Sequence, residues 1–121
     1  VHGRWPAEPK AVEAVGGGYD VILSKNTLKN GYLHPAEPVD PRLRVDVGVD
    51  DPTFLKACHA ALKPGGLLVI YNLSPAPAPP GKPYRPMADG RCPFSPADLT
   101  AAGFETLARD ESHDARARAL G

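Results

Sequence analysis

The chain is expected to fold as α/β: a partial doubly wound, mainly parallel sheet that forms a fragment of a larger domain. Three observations predict this. The apolar runs Val21-Ile22-Leu23 and Leu67-Leu68-Val69-Ile70 are continuous rather than alternating, the pattern of strands covered on both faces in parallel sheets. Strand and helix segments alternate along the chain, which implies parallel pairing with crossover connections. Two strands that require cover on both faces and both edges cannot satisfy themselves in a three-stranded sheet, because their edge amides need further strands.

The elements follow in order. Pro9 suits a first helical position, where no amide donor is needed. Ala11, Val12 and Val15 share a face of that helix, and Gly16-Gly17-Gly18 stops it. Tyr19 to Ser24 is the first strand. Residues 25–51 are long and irregular, with turn signals at Asn30-Gly31 and His34-Pro35. Within them Leu43, Val45, Val47 and Val49 alternate with polar residues at the period of a half-buried strand, a reading that Pro41 and Gly48 weaken. Asp51-Pro52 opens the best helix, with Asp51 as the expected cap. Phe54, Leu55, Cys58, Ala61 and Leu62 form its apolar face. Pro64 ends it, Gly65-Gly66 complete the turn, and Leu67 to Asn72 form the second strand. Residues 74–96 are a proline-rich loop holding eight of the 15 prolines. Ser95 then caps a short helix with Asp98 in the partner position of a capping box, and Gly103 ends it. Phe104 to Ala108 is the expected third strand, and the charged, alanine-rich segment after Arg109 suits a helix.

Composition excludes several function classes. At 121 residues the chain makes one domain at most. Its 14 basic and 14 acidic side chains balance. That argues against a nucleic-acid binder and lends no support to an anionic-membrane binder. Cys58 and Cys92 do not form a C-x-x-C pair, which excludes a disulfide scaffold and a thiolate-rich zinc site. The four histidines lack metal-ligand spacing, so no metal is expected. No apolar run approaches the roughly 18 residues of a membrane span. Val1 to Trp5 has no signal-peptide apolar region, so a cytoplasmic setting is the expectation.

Tyr19-Asp20-Val21-Ile22-Leu23-Ser24, the helix-and-turn segment Ala61-Leu62-Lys63-Pro64-Gly65-Gly66-Leu67-Leu68-Val69-Ile70, and Ala102-Gly103-Phe104-Glu105 stand in a telling order and spacing. Together they resemble the fourth, fifth and sixth strand regions of class I S-adenosylmethionine-dependent methyltransferases, over roughly residues 19–110. The resemblance implies that residues 1–121 are the C-terminal part of such a Rossmann-like domain. It also implies S-adenosylmethionine as cofactor and methyl transfer to a small-molecule or protein acceptor. The family's glycine-rich loop after a first strand and its acidic residue at the end of a second strand have no counterpart here. Gly16-Gly17-Gly18 precedes a strand, whereas a cofactor loop must follow one and open a helix. The chain alone is therefore expected to be a poor catalyst, and its open sheet edges favour self-association. A truncated, non-catalytic binding module and half of another nucleotide-binding α/β enzyme are the alternatives.

Ligands of open α/β sheets sit outside the carboxyl ends of the strands. That rule selects Lys25, Asn26, Tyr71 and Asn72 as candidate catalytic groups that orient a methyl acceptor or its proton. Ser24 and Asn26 are candidate cofactor contacts. Tyr32, His34 and Arg85 are candidate substrate contacts, with the proline-rich loop as a stiff cover over them. Each residue also has a plain reading: a polar strand end turning into solvent, a turn cap, or an exposed loop histidine.

Overall fold

The computed structural model describes residues 2–35, 37–73, 79–83 and 90–120. Helix α1 (Pro9–Val15) begins with proline in its first turn and ends at Gly16, whose φ of 66° is open to glycine at no cost. Ala11 is its one buried residue, while Val12 is 42% exposed, so the helix face is narrower than the sequence suggests. Strand β1 (Tyr19–Lys25) follows, then a single helical turn, α2 (Asn30–Leu33), inside the segment expected to be irregular. Helix α3 (Asp51–Ala61) runs directly into strand β2 (Leu62–Tyr71). Helices α4 (Pro96–Ala101) and α5 (Asp114–Ala119) complete the order.

β1 and β2 pair in parallel, with Ile22 opposite Leu68, Leu23 opposite Val69 and Lys25 opposite Tyr71. This is a small α/β arrangement compatible with part of a larger parallel sheet. The register jumps once: Tyr19 faces Leu62 but Val21 faces Leu67. Three extra residues of β2 therefore bulge out. This corrects the expected free turn at Gly65-Gly66, which is instead absorbed into the strand. Gly65 has φ 78°, and a Cβ on Gly66 would stand 2.9 Å from the Lys63 carbonyl oxygen and 3.2 Å from that of Asp20. The L-K-P-G-G stretch thus lets the two backbones approach.

Asp50, not Asp51, caps α3: its Oδ1 accepts the Thr53 amide at 2.9 Å. Asp51 occupies the first helical position, and its carboxylate turns to His34. Ser95 caps α4 as expected, accepting the Asp98 amide at 3.1 Å.

The core lies on one side of the sheet. Phe54, Leu55 and Cys58 of α3 meet Leu28, Phe94 and Ala102, with Ile22, Leu68 and Ile70 packed against them from the strands. Phe94 stacks on Phe54 at 5.7 Å, and Trp5 meets Phe54 edge-on at 5.8 Å. Val45, Val47 and Val49 also turn inward while Asp46 and Gly48 face out. The period-2 pattern thus assigned the sides of these three valines correctly although no strand forms there, but not that of Leu43, which is 41% exposed. Val45 donates to the Tyr32 carbonyl, and Gly48, at φ 76°, breaks the extended run.

The expected third strand, Phe104 to Ala108, is not formed. Phe104 packs on the core and meets the His59 ring edge-on at 5.3 Å, and its amide closes α4 on Leu99. Residues 105–108 are exposed. With one apolar anchor, the segment gains more from the helix layer than from a sheet edge. Beyond it, Arg109 donates to the Phe94 carbonyl and Asp110 accepts the Cys92 amide, tying the chain back to the loop before α4. Among the described residues no helix is long and apolar enough to cross a membrane.

Candidate functional site

α3 returns the chain from the carboxyl end of β1 to the start of β2, so both strands end on the same side of the molecule. There the parallel ladder closes through side chains. Asn26 adopts φ 58°, a left-handed conformation that asparagine tolerates. Its amide donates to the Tyr71 carbonyl at 2.9 Å, and its Oδ1 accepts the Leu73 amide at 2.6 Å. Ser24 Oγ accepts the Leu28 amide at 3.2 Å. Asn72 donates from Nδ2 to the Leu28 carbonyl at 3.0 Å, leaving its buried Oδ1 without a partner.

The expected site residues thus divide. Ser24, Asn26 and Asn72 do converge, but each spends a side-chain atom on closing the backbone. Lys25 is exposed beside them, and Tyr71, 38% exposed, stands on the opposite face of the sheet from the core. Tyr32 is half-buried on α2. His34 lies apart, with Nε2 2.7 Å from Asp51 Oδ2 at the start of α3. Arg85 falls outside the described residues, as do residues 74–78 and 84–89 of the proline-rich stretch.

Sequence reasoning missed Lys29. It is 8% exposed, donates from Nζ to the Leu73 carbonyl at 2.8 Å, and lies 5.5 Å from the centre of the Tyr32 ring. The available signal was its i, i+3 spacing from Tyr32, which brings the two together on the single turn of α2.

Clefts open beside β1 and between α2 and the start of α3. The first, about 510 Å³, runs beside β1. Trp5, Ile22, Phe54 and Leu68 line its apolar wall, with Ser24, Lys25 and Thr27 as polar members. The second, about 450 Å³, includes His34, Arg44, Asp50, Asp51 and Asp98. Hydrogen bonding to Thr53 holds the Asp50 carboxyl below its ordinary range. The Cys58 thiol, whose residue lines the first cleft, is pushed up to about 12 by burial, so it is no nucleophile at neutral pH. Among the described residues no cluster of histidine, cysteine or carboxylate side chains could hold a metal.

The first cleft fits only part of S-adenosylmethionine. Its apolar wall and Trp5 suit the adenine ring, but among the described residues no carboxylate lines it to grip a ribose diol. The chain matches no protein-family model, no curated protein and no solved structure.

Proposed function

We propose that the chain is the C-terminal part of an S-adenosylmethionine-dependent methyltransferase domain. In this reading the cleft beside β1 holds the adenine end of the cofactor, and the strand-end polar groups face the methyl acceptor. The observation that carries it is an apolar cleft walled by Trp5, Ile22, Phe54 and Leu68 at the carboxyl end of a parallel strand, with Ser24 and Lys25 among its lining residues. The cofactor supplies an electrophilic methyl group. The protein's own part is to exclude water along the apolar wall and to orient the acceptor through Lys25 and the free edge of the Asn26 amide.

Trp5 is the only tryptophan in the chain, so its emission reports on this cleft alone. Titration with S-adenosylmethionine should change Trp5 emission saturably, with a Kd on the order of 1 mM for a partial site. Phe54→Leu, which thins the wall, should weaken the response. No saturable change would remove the cofactor reading.

One observation favours a second reading, a non-catalytic binding module: the amides of Asn26 and Asn72 are tied to the Leu73 amide and the Leu28 carbonyl. Under that reading Asn26→Ala lowers thermal stability and leaves the Trp5 titration unchanged. Under the methyltransferase reading, in an active full-length protein, it lowers turnover far more than stability.

A further inference from the structure

Two side chains cross between the same two short stretches at the strand ends. Asn72 reaches the Leu28 carbonyl and Lys29 reaches the Leu73 carbonyl. Each arm of this clamp has an unmet need. Among the described residues the Lys29 ammonium, with three donors, makes one hydrogen bond, and no carboxylate is within ion-pair reach of it. The Tyr32 ring face is its other neighbour. A buried charge with no counter-ion among the described residues is unfavourable, and the residue's overall exposure of 8% leaves little water to compensate. On the other arm, Asn72 Oδ1 is a buried acceptor with no donor among the described residues, a defect that native proteins seldom keep without use.

We propose that this clamp binds an oxyanion that also carries a hydrogen-bond donor, protonated phosphate being the simplest form. An anionic oxygen takes the remaining N–H groups of Lys29, and the ligand's O–H or N–H donates to Asn72 Oδ1. A phosphate monoester satisfies both needs, as does a carboxylate with a neighbouring hydroxyl or amine. A bare carboxylate satisfies only the first. The inference goes beyond the proposed methyl transfer, since it requires no methyl donor and its two binding side chains, Lys29 and Asn72, do not line the Trp5 cleft.

The test is titration of the 15N-labelled chain with inorganic phosphate and, separately, with acetate, at constant ionic strength so that screening does not change. The backbone amide of Leu73 and the side-chain amide of Asn72 report. Phosphate should shift both saturably, with a Kd on the order of 1–10 mM, and acetate should bind at least about tenfold more weakly because it leaves Asn72 Oδ1 unmet. Lys29→Met should abolish the response, and Lys29→Arg should retain it. Should Lys29→Met fail to fold, Asn72→Asp decides: its carboxylate neutralises Lys29 and repels the anion, so the phosphate response should vanish. The proposal is overturned if wild type shows no saturable shift up to about 50 mM phosphate. It is equally overturned if acetate matches phosphate, or if Lys29→Met or Asn72→Asp binds as wild type does.

Discussion

The two faces of the β1–β2 sheet are built from the same kinds of residue and meet different fates. On one face Ile22, Leu68 and Ile70 pack against the core formed with α3. On the other, Val21, Leu23, Leu67 and Val69 are 50%, 62%, 46% and 38% exposed, and Tyr19, Tyr71 and Leu73 extend the patch. Side chains one residue apart on a strand thus differ completely in what they contribute, because successive Cβ atoms point to opposite faces. A contiguous apolar surface of this kind is unusual on a monomer. The difference teaches that the sequence is written for cover on both faces, while the described residues supply it on one.

The largest expected effect tests the covered side. Leu55 is fully buried at the centre of α3, and Leu55→Ala should cost about 2–5 kcal/mol in urea unfolding by lost transfer energy and cavity formation. A loss below about 1 kcal/mol would mean that the core collapses around the gap and that the covered face is as loosely held as the open one.

A matched pair sharpens the comparison directly. Ile70→Lys places a charge on the covered face and should destabilise by about 1–3 kcal/mol. Val69→Lys, one residue away on the open face, should change stability by no more than about 0.5 kcal/mol. It should also reduce concentration-dependent self-association in sedimentation experiments. Equal destabilisation by the two variants would break the comparison.

The smallest effect concerns the exposed end of α3. Asp50 accepts the Thr53 amide, and its folded carboxyl titrates below the ordinary 3.8. A lowered folded value means that the stabilisation is present above 3.8 and is lost as pH falls through the folded value. Asp50→Ala should therefore lower Tm modestly at neutral pH, by less than Leu55→Ala, and the gap from wild type should narrow on acidification below 3.8. A gap independent of pH would assign the loss to helix propensity rather than to the cap.

Much of the fold was legible because it depends on local chemistry. Pro9 and Pro52 near helix starts, Ser95 as a cap, and the continuous runs of β1 and β2 act within a few residues, and each appears at or near its expected position. Inward placement of Val45, Val47 and Val49 was legible for the same reason, since side-chain alternation needs no partner strand. The ladder there was not legible, because pairing depends on whether a neighbour lies alongside. The candidate site was half legible. Ser24, Asn26 and Asn72 follow from the rule about strand ends. Their use in closing the backbone does not, because a side-chain amide serves a ligand or a carbonyl equally well until the geometry is known.

By itself the sequence determined the class of the fold, the parallel sense of the two strands, the helix between them and the end of the sheet where polar groups gather. Those features rest on periodicity, capping and chain direction, all carried by neighbours in the chain. Only the tertiary structure decided that Lys63 to Gly66 bulge within β2, that Phe104 packs in the helix layer, and that Lys29 lies buried while Lys25 stands in solvent. Each of these depends on contacts between residues distant in the chain. Lys29 and Leu73, 44 positions apart, meet only once β1 and β2 lie side by side.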